Sequence, residues 1–288
     1  MIFVFPGFRA AATLVAASFA IACPALAASQ DADAAAGHAP SRGRADAYVQ
    51  HVLPGSSSQS VGRWRDPLCP LVSGLARDQA EALLERLSVI AREAGAPLGA
   101  ADCHPNLYII AAADPKTTLK AWVKRQPLLF GPGHEAEVQR VIETARPVRV
   151  WLKVASTGVN GHYATDHSQA LFAMSGQSSV PVLNWTDPTH LSASTARYIA
   201  GAAVVLGPQV GKVSLGQLAA YIALSTFAEV NPDADLGSEP SILTLFRPGG
   251  AAPEGLSAAD EAYLKALYRV QPNSLGQKAA IADHMAGG

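Results

Sequence analysis

Residues 214–229 read S-L-G-Q-L-A-A-Y-I-A-L-S-T-F-A-E. Ser214 and Gln217 stand three apart, the spacing of a capping box, so the stretch opens as a helix. It carries one charge, at its last residue, and apolar side chains on nearly every side. A helix of that kind is buried on all faces rather than laid on a surface. Ahead of it, residues 197–206 (R-Y-I-A-G-A-A-V-V-L) have strand character. Behind it come a turn over 231–240, a short apolar block over 241–246 and a second helix opening L-S-A-A-D-E-A-Y-L-K-A-L-Y at Leu256. Ser257 and Asp260 repeat the start signal, and Leu256, Tyr263, Leu264, Leu267 and Tyr268 give this helix an apolar stripe. A last helix fits 275–285.

Working outward, the first half reads as strand, helix, strand. Residues 68–74 (L-C-P-L-V-S-G) form a short apolar run whose proline confines it to a sheet edge. Residues 77–94 place Ala80, Leu83, Leu84, Leu87, Ile90 and Ala91 on one face, with Asp78, Glu81, Glu85, Arg86 and Arg92 mostly on the other. Gly95 stops that helix. Residues 106–113 (N-L-Y-I-I-A-A-A) read as a strand buried on both faces, and the three parts together match a βαβ unit. Asp114-Pro115 supplies an N-cap with proline at the first helical position, and a short helix covers 135–144. Residues 147–156 alternate: Val148, Val150, Leu152 and Val154 face one way and Arg149, Trp151 and Lys153 the other, which predicts a strand with one wet face. Residues 157–194 have weak pattern and many Gly, Ser, Asn, Thr and Pro residues, the mark of a functional loop or an unresolved hairpin. The expected fold is α/β, with α+β as the alternative: a mixed sheet of about four to five strands, packed helices and a helical C-terminal region.

The N-terminus has the organisation of a secretory signal peptide: one positive charge (Arg9), an uncharged apolar run over 10–23, and a small-x-small site ending at Ala27. The run is shorter than the roughly 20 residues a spanning helix needs, so no transmembrane helix is expected in the mature chain. Cys23 weakly suggests a lipoprotein, a reading less favoured than cleavage near Ala27. Residues 28–62 read as a disordered leader and linker, with a short helix or strand over 45–53, and 63–288 as one globular domain. This places the protein in the periplasm or outside the cell. Processing leaves 21 of the 22 Lys and Arg side chains against 23 Asp and Glu. No basic block stands out, so nucleic-acid binding has no electrostatic support. Of three cysteines, Cys69 and Cys103 remain, and an even count in an exported chain favours a disulfide.

The C-terminal order of parts resembles the end of the matrixin-type zinc metalloproteases. Ser241-Ile242-Leu243 stands where that family has its Met-turn, and Leu256-Ser257-Ala258-Ala259-Asp260 with Leu267-Tyr268 matches its last helix. The chain is also similar to a family of uncharacterised exported bacterial proteins with a P-S-I…L-T-x-x-D-x-A-x-L-x-x-L-Y ending. In the matrixins the buried helix carries H-E-x-x-H-x-x-G-x-x-H. Here the corresponding positions are Gln217, Leu218, Tyr221, Leu224 and Phe227. A zinc site needs imidazole, thiolate or carboxylate ligands and the base needs a carboxylate, and none is present. The resemblance therefore implies a zincin-like scaffold without its metal site, and it implies no cofactor.

Other constellations are sparse. Gln217, Tyr221 and Ser225 form a thin polar line along the buried helix, either facing a pocket or satisfied within the core. His162 and His167, with Asp166, sit in the 157–194 loop and are weak candidates for a metal site. No G-x-S-x-G, P-loop or G-x-G-x-x-G occurs. The favoured function is a non-catalytic binding or scaffold domain with a protein or cell-envelope partner. The alternatives are a divergent hydrolase, metal-dependent or not, with its site in 157–194, and a small-molecule binding protein.

Overall fold

The structure is a computed structural model and describes residues 39–53, 60–131, 134–158, 163–164 and 195–287. Its centre is strand β6 (Thr195–Leu206). Ala202, Val204 and Leu206 are buried in the larger of two cores, and Ala203 and Val205 in the smaller. A run of small residues (200–203) followed by Val204 and Val205 lets layers pack closely on both faces of the strand. One edge of β6 pairs antiparallel with β4 (Val148–Gly158). Its other edge pairs in parallel with β3 (Leu107–Ala111) and, nearer its start, with β1 (Arg63–Trp64). Strand β2 (Pro70–Ser73) lies parallel beyond β3, and β5 (Tyr163–Ala164) antiparallel on β4. The fold is thus a mixed α/β sheet in the order β2-β3-β6-β4-β5, with β1 on β6. Two of the six strands have two residues each, too short to leave any alternation in a sequence.

The βαβ unit forms as its pattern predicts. Helix α2 (Arg77–Ala94) buries Leu83, Leu87, Ala91 and Ala94, and Gly95 ends it at φ 80°, its N–H reaching the carbonyls of Ala91 and Arg92. Cys69 and Cys103 are disulfide-bonded, with 5.9 Å between their Cα atoms. The bond ties the start of β2 to the loop before β3. The same seam carries hydrogen bonds from Asn106 N–H and Leu107 N–H to the Cys69 carbonyl, at 3.0 and 3.2 Å. Closing 34 residues contributes about 3–4 kcal/mol on the chain-entropy model.

Both faces of the sheet are covered, which corrects the reading of β4 as a strand with one wet face. Helices α3 (Pro115–Arg125), α4 (Pro127–Phe130) and α5 (Glu135–Glu143) cover this face, where Leu119, Phe130, Val138 and Ile142 share a core with Trp151. Trp151 is buried beside Phe130, their ring centroids 6.1 Å apart, and its indole N–H donates to the Leu129 carbonyl. Lys153 lays its stem along that surface and donates from Nζ to the Leu128 carbonyl at 2.7 Å. The alternation is real, but Trp151 and two long basic stems mimic a polar face while covering apolar surface. Helix α3 starts as expected, with Asp114 Oδ1 accepting from Thr117 N–H at 3.1 Å.

The larger core lies on the opposite face. It is built from α2 and the C-terminal helices α6 (Leu215–Phe227), α7 (Ala258–Arg269) and α8 (Gln277–Met285). It also contains α1 (Arg42–Val52), which corrects the boundary drawn at residue 63. Ala45, Tyr48, Val49 and Val52 recur on one face of α1 and are all buried. The Tyr48 ring meets Tyr263 at 5.7 Å, and Arg44 holds Glu239 through two bonds of 2.8 and 3.0 Å. The polar, Gly- and Ser-rich sequence on either side hides this short stripe. No described helix is long and apolar enough to cross a membrane.

Candidate functional site

Helix α6 is as buried as its composition requires: every residue from Leu218 to Phe227 is buried. Its capping box forms, with Ser214 Oγ accepting from Gln217 N–H at 3.1 Å and Gln217 Oε1 accepting from Ser214 N–H at 3.2 Å. The Gln217 amide also donates to the Pro253 carbonyl. Tyr221 packs edge-on against Phe246 at 4.9 Å. Burial holds its phenol above the ordinary range, against the pull of Arg146 and Arg247. Ser225 Oγ donates back to the Tyr221 carbonyl at 2.6 Å. The line Gln217, Tyr221, Ser225 thus faces packing partners and its own helix. His162 and His167, with Asp166, lie outside the described residues. Among the described residues no three His, Cys, Asp or Glu side chains gather as a metal would need.

The two fragments singled out by the sequence meet at one carboxylate. Asp260 is fully buried on the first turn of α7. Its Oδ1 accepts from Ser241 Oγ and from Tyr48 Oη, each at 2.6 Å. Its Oδ2 accepts from the backbone N–H of Ile242 at 2.8 Å and of Ser257 at 3.0 Å. One side chain therefore closes the cap of α7, fixes the 3₁₀ turn Ile242–Thr244 and anchors α1. Burial pushes the Asp260 carboxyl up, and the bonds from Ser241, Tyr48, Ile242 and Ser257 pull it back only in part. Tyr48 is held well above the ordinary tyrosine range by burial, reinforced by Asp260. Asp260 is wholly shielded from solvent and is bonded at both oxygens within the fold, so it holds three segments together.

A second polar seam holds the other ends of the two helices. Trp64 Nε1–H donates to the Thr226 carbonyl at 2.6 Å, and Tyr268 Oη to the Phe227 carbonyl at 2.7 Å. The Arg63 guanidinium donates to the carbonyls of Leu267 and Val270, at 2.8 Å for the latter. A cation at the C-terminal carbonyls is the favourable end of the helix dipole.

The open feature is elsewhere. A groove of about 460 Å³ runs along the outer face of α2, beside the first turns of α6. Ala82, Glu85, Arg86, Val89, Ile90 and Glu93 form its α2 wall at helical spacing. Gly216, Ala219 and Ala220 make the floor, and residues 254–256 with Glu261 close the far side. The floor is low because these residues are small. A Cβ at Gly216 would come 3.4 Å from the Glu254 carbonyl oxygen and 3.5 Å from an Arg86 nitrogen. Val89 is 39 % exposed. The sequence marks Glu85 and Arg86 only as the solvated side of an amphipathic helix. What it leaves out is the loop 250–256, which rises beside that side and makes it a wall.

The chain matches no protein-family model, no curated protein and no solved structure.

Proposed function

We propose that the chain is an exported, non-catalytic binding domain, processed after Ala27, that acts on a protein or cell-envelope partner. The observation that carries this reading is the employment of α6. At the five positions where the matrixin resemblance would put ligands and base, Gln217 is spent on capping and Leu218, Tyr221, Leu224 and Phe227 on core packing. The helix is occupied in holding the molecule together and offers no group to a substrate. The disulfide supports an oxidising compartment, where such bonds persist. The groove along α2 supports binding, because it is the concave surface at which small floor residues, exposed valine and charge adjoin.

The test is a pair of measurements on mature protein exported into an oxidising compartment. Its metal content is determined, and turnover of casein, gelatin and model ester substrates is followed with and without added zinc. The expected result is less than stoichiometric metal and no rate above buffer. A bound zinc with turnover abolished by His162→Ala would replace this reading with the hydrolase whose site lies in 157–194.

A further inference from the structure

We infer that the groove beside α2 takes a basic peptide segment of a partner protein, one in which Lys or Arg alternates with short apolar side chains. The inference rests on the binding-domain reading above and adds the chemistry of the partner.

Charge is the first argument. The groove is lined by Glu85, Glu93, Glu254 and Glu261 against the single cation Arg86. Lys265 approaches Glu261 at 3.3 Å. Among the described residues no cation pairs with Glu85, Glu93 or Glu254. Every Lys and Arg of the mature chain is described, since the only other one is Arg9. Arg86 is thus the one cation lining the groove among the described residues, and it forms no ion pair with these three carboxylates. Residues 165–194 contain Asp166 and Asp187 and no Lys or Arg, so that stretch is a poor electrostatic match for the groove.

Shape is the second argument. The wall residues from Ala82 to Glu93 span three helical turns, about 16 Å of axis at 1.5 Å per residue. That length suits about five residues of extended chain. The small residues Gly216, Ala219 and Ala220 leave the groove shallow-floored, with the Glu254 carbonyl and Arg86 lying over Gly216, and Val89, Ile90 and Leu256 offer apolar contact to small side chains. An acidic partner would meet like charge, a mismatch that costs affinity and on-rate.

The experiment uses the full mature chain and a fluorescently labelled Lys/Ala/Val peptide, with its Glu/Ala/Val counterpart, followed by polarisation at low and high salt. Two double variants accompany the wild type. Glu85→Lys/Glu93→Lys reverses the groove, and Asp102→Lys/Glu137→Lys makes the same change in net charge away from it. All these positions are exposed, and circular dichroism and melting verify the fold of each variant. The expected result is that the basic peptide alone binds, that salt weakens it, and that the groove variant loses about tenfold or more while the control variant does not. Equal loss in both variants would mean general charge attraction and would overturn the inference, as would binding of the acidic peptide or of neither. Those outcomes leave the non-catalytic reading intact, because that reading falls only to bound zinc and turnover.

Discussion

Asp260 is the residue on which most of the C-terminal half depends. It carries four hydrogen bonds from three separate segments, all in the buried core. Asp260→Asn keeps the size but turns one acceptor oxygen into an NH2 group. Oδ2 faces two backbone N–H donors, so the amide oxygen must stay there and the NH2 must face the Ser241 and Tyr48 hydroxyls, which have to turn from donors into acceptors and give up charge-assisted bonds. We expect a cost of about 2–4 kcal/mol, measured by urea unfolding. The pH dependence has a definite sign. Burial raises the folded carboxyl pKa above its unfolded value near 3.9. The folded state thus binds the proton more tightly, and this contribution is full below about pH 4 and declines as pH rises through the raised value. The stability gap between wild type and Asp260→Asn should therefore narrow between pH 4 and pH 7. A gap that widens would show a carboxyl held down by its donors. A backbone counterpart is Gly74, at φ +83°, where a Cβ would lie 2.3 Å from the Ala111 carbonyl oxygen. Gly74→Ala should destabilise by about 1–3 kcal/mol through strain at the β2–β3 edge.

Helix α6 shows at the scale of elements what a sequence discloses. Its capping box and all-round apolar surface define both its start and its burial, and the α7 cap is equally plain at Ser257 and Asp260. These signals are local, each contained in four residues. Apart from Ser257 in its own cap, the partners of Asp260 lie 18 to 212 residues away, so no local pattern encodes them. The same distance hides α1. Its stripe Ala45, Tyr48, Val49, Val52 is four residues long, and its partners Glu239 and Tyr263 come near the end of the chain. The groove is hidden for a related reason: Glu85 and Glu93 look like ordinary solvent-facing residues until the loop at 254–256 stands beside them. Helix α1 gives a test at this scale. Tyr48→Phe removes one donor from Asp260 and should cost about 1 kcal/mol. Tyr48→Ala also empties a buried ring site and should cost about 3–5 kcal/mol. If both variants melt like the wild type, α1 is not part of the cooperative fold.

At the scale of the molecule, stability is distributed unevenly between the sheet's centre and its disulfide edge. Strand β6 is buried on both faces and paired on both edges, so its exchange should track global unfolding. Strand β2 is an edge strand, starts with proline and exposes Leu71, and its ties are the ladder to β3 and the Cys69–Cys103 bond. The cross-linked loop has further anchors of its own. Leu68 N–H reaches the Pro97 carbonyl at 2.9 Å, and Asn106 bridges the seam by accepting from Cys69 N–H and donating to the Pro67 carbonyl. Removing the disulfide therefore acts in two ways. It enlarges the unfolded ensemble, lowering global stability by about 2–4 kcal/mol. It also loosens an edge whose remaining backbone bonds hold its native geometry. Cys69→Ser/Cys103→Ser should fold to the same secondary structure and melt several degrees lower. Its amide exchange should accelerate most at 68–73 and 97–107, with β6 still the slowest region. Uniform acceleration across β6 and β2 would mean that the staple acts on the whole sheet as one cooperative unit. Acceleration confined to the edge would mean that the wall of helix α2, which connects β2 to β3, sits on the least stable part of the molecule. In that case a peptide bound in the groove should slow exchange at the edge as well as along α2.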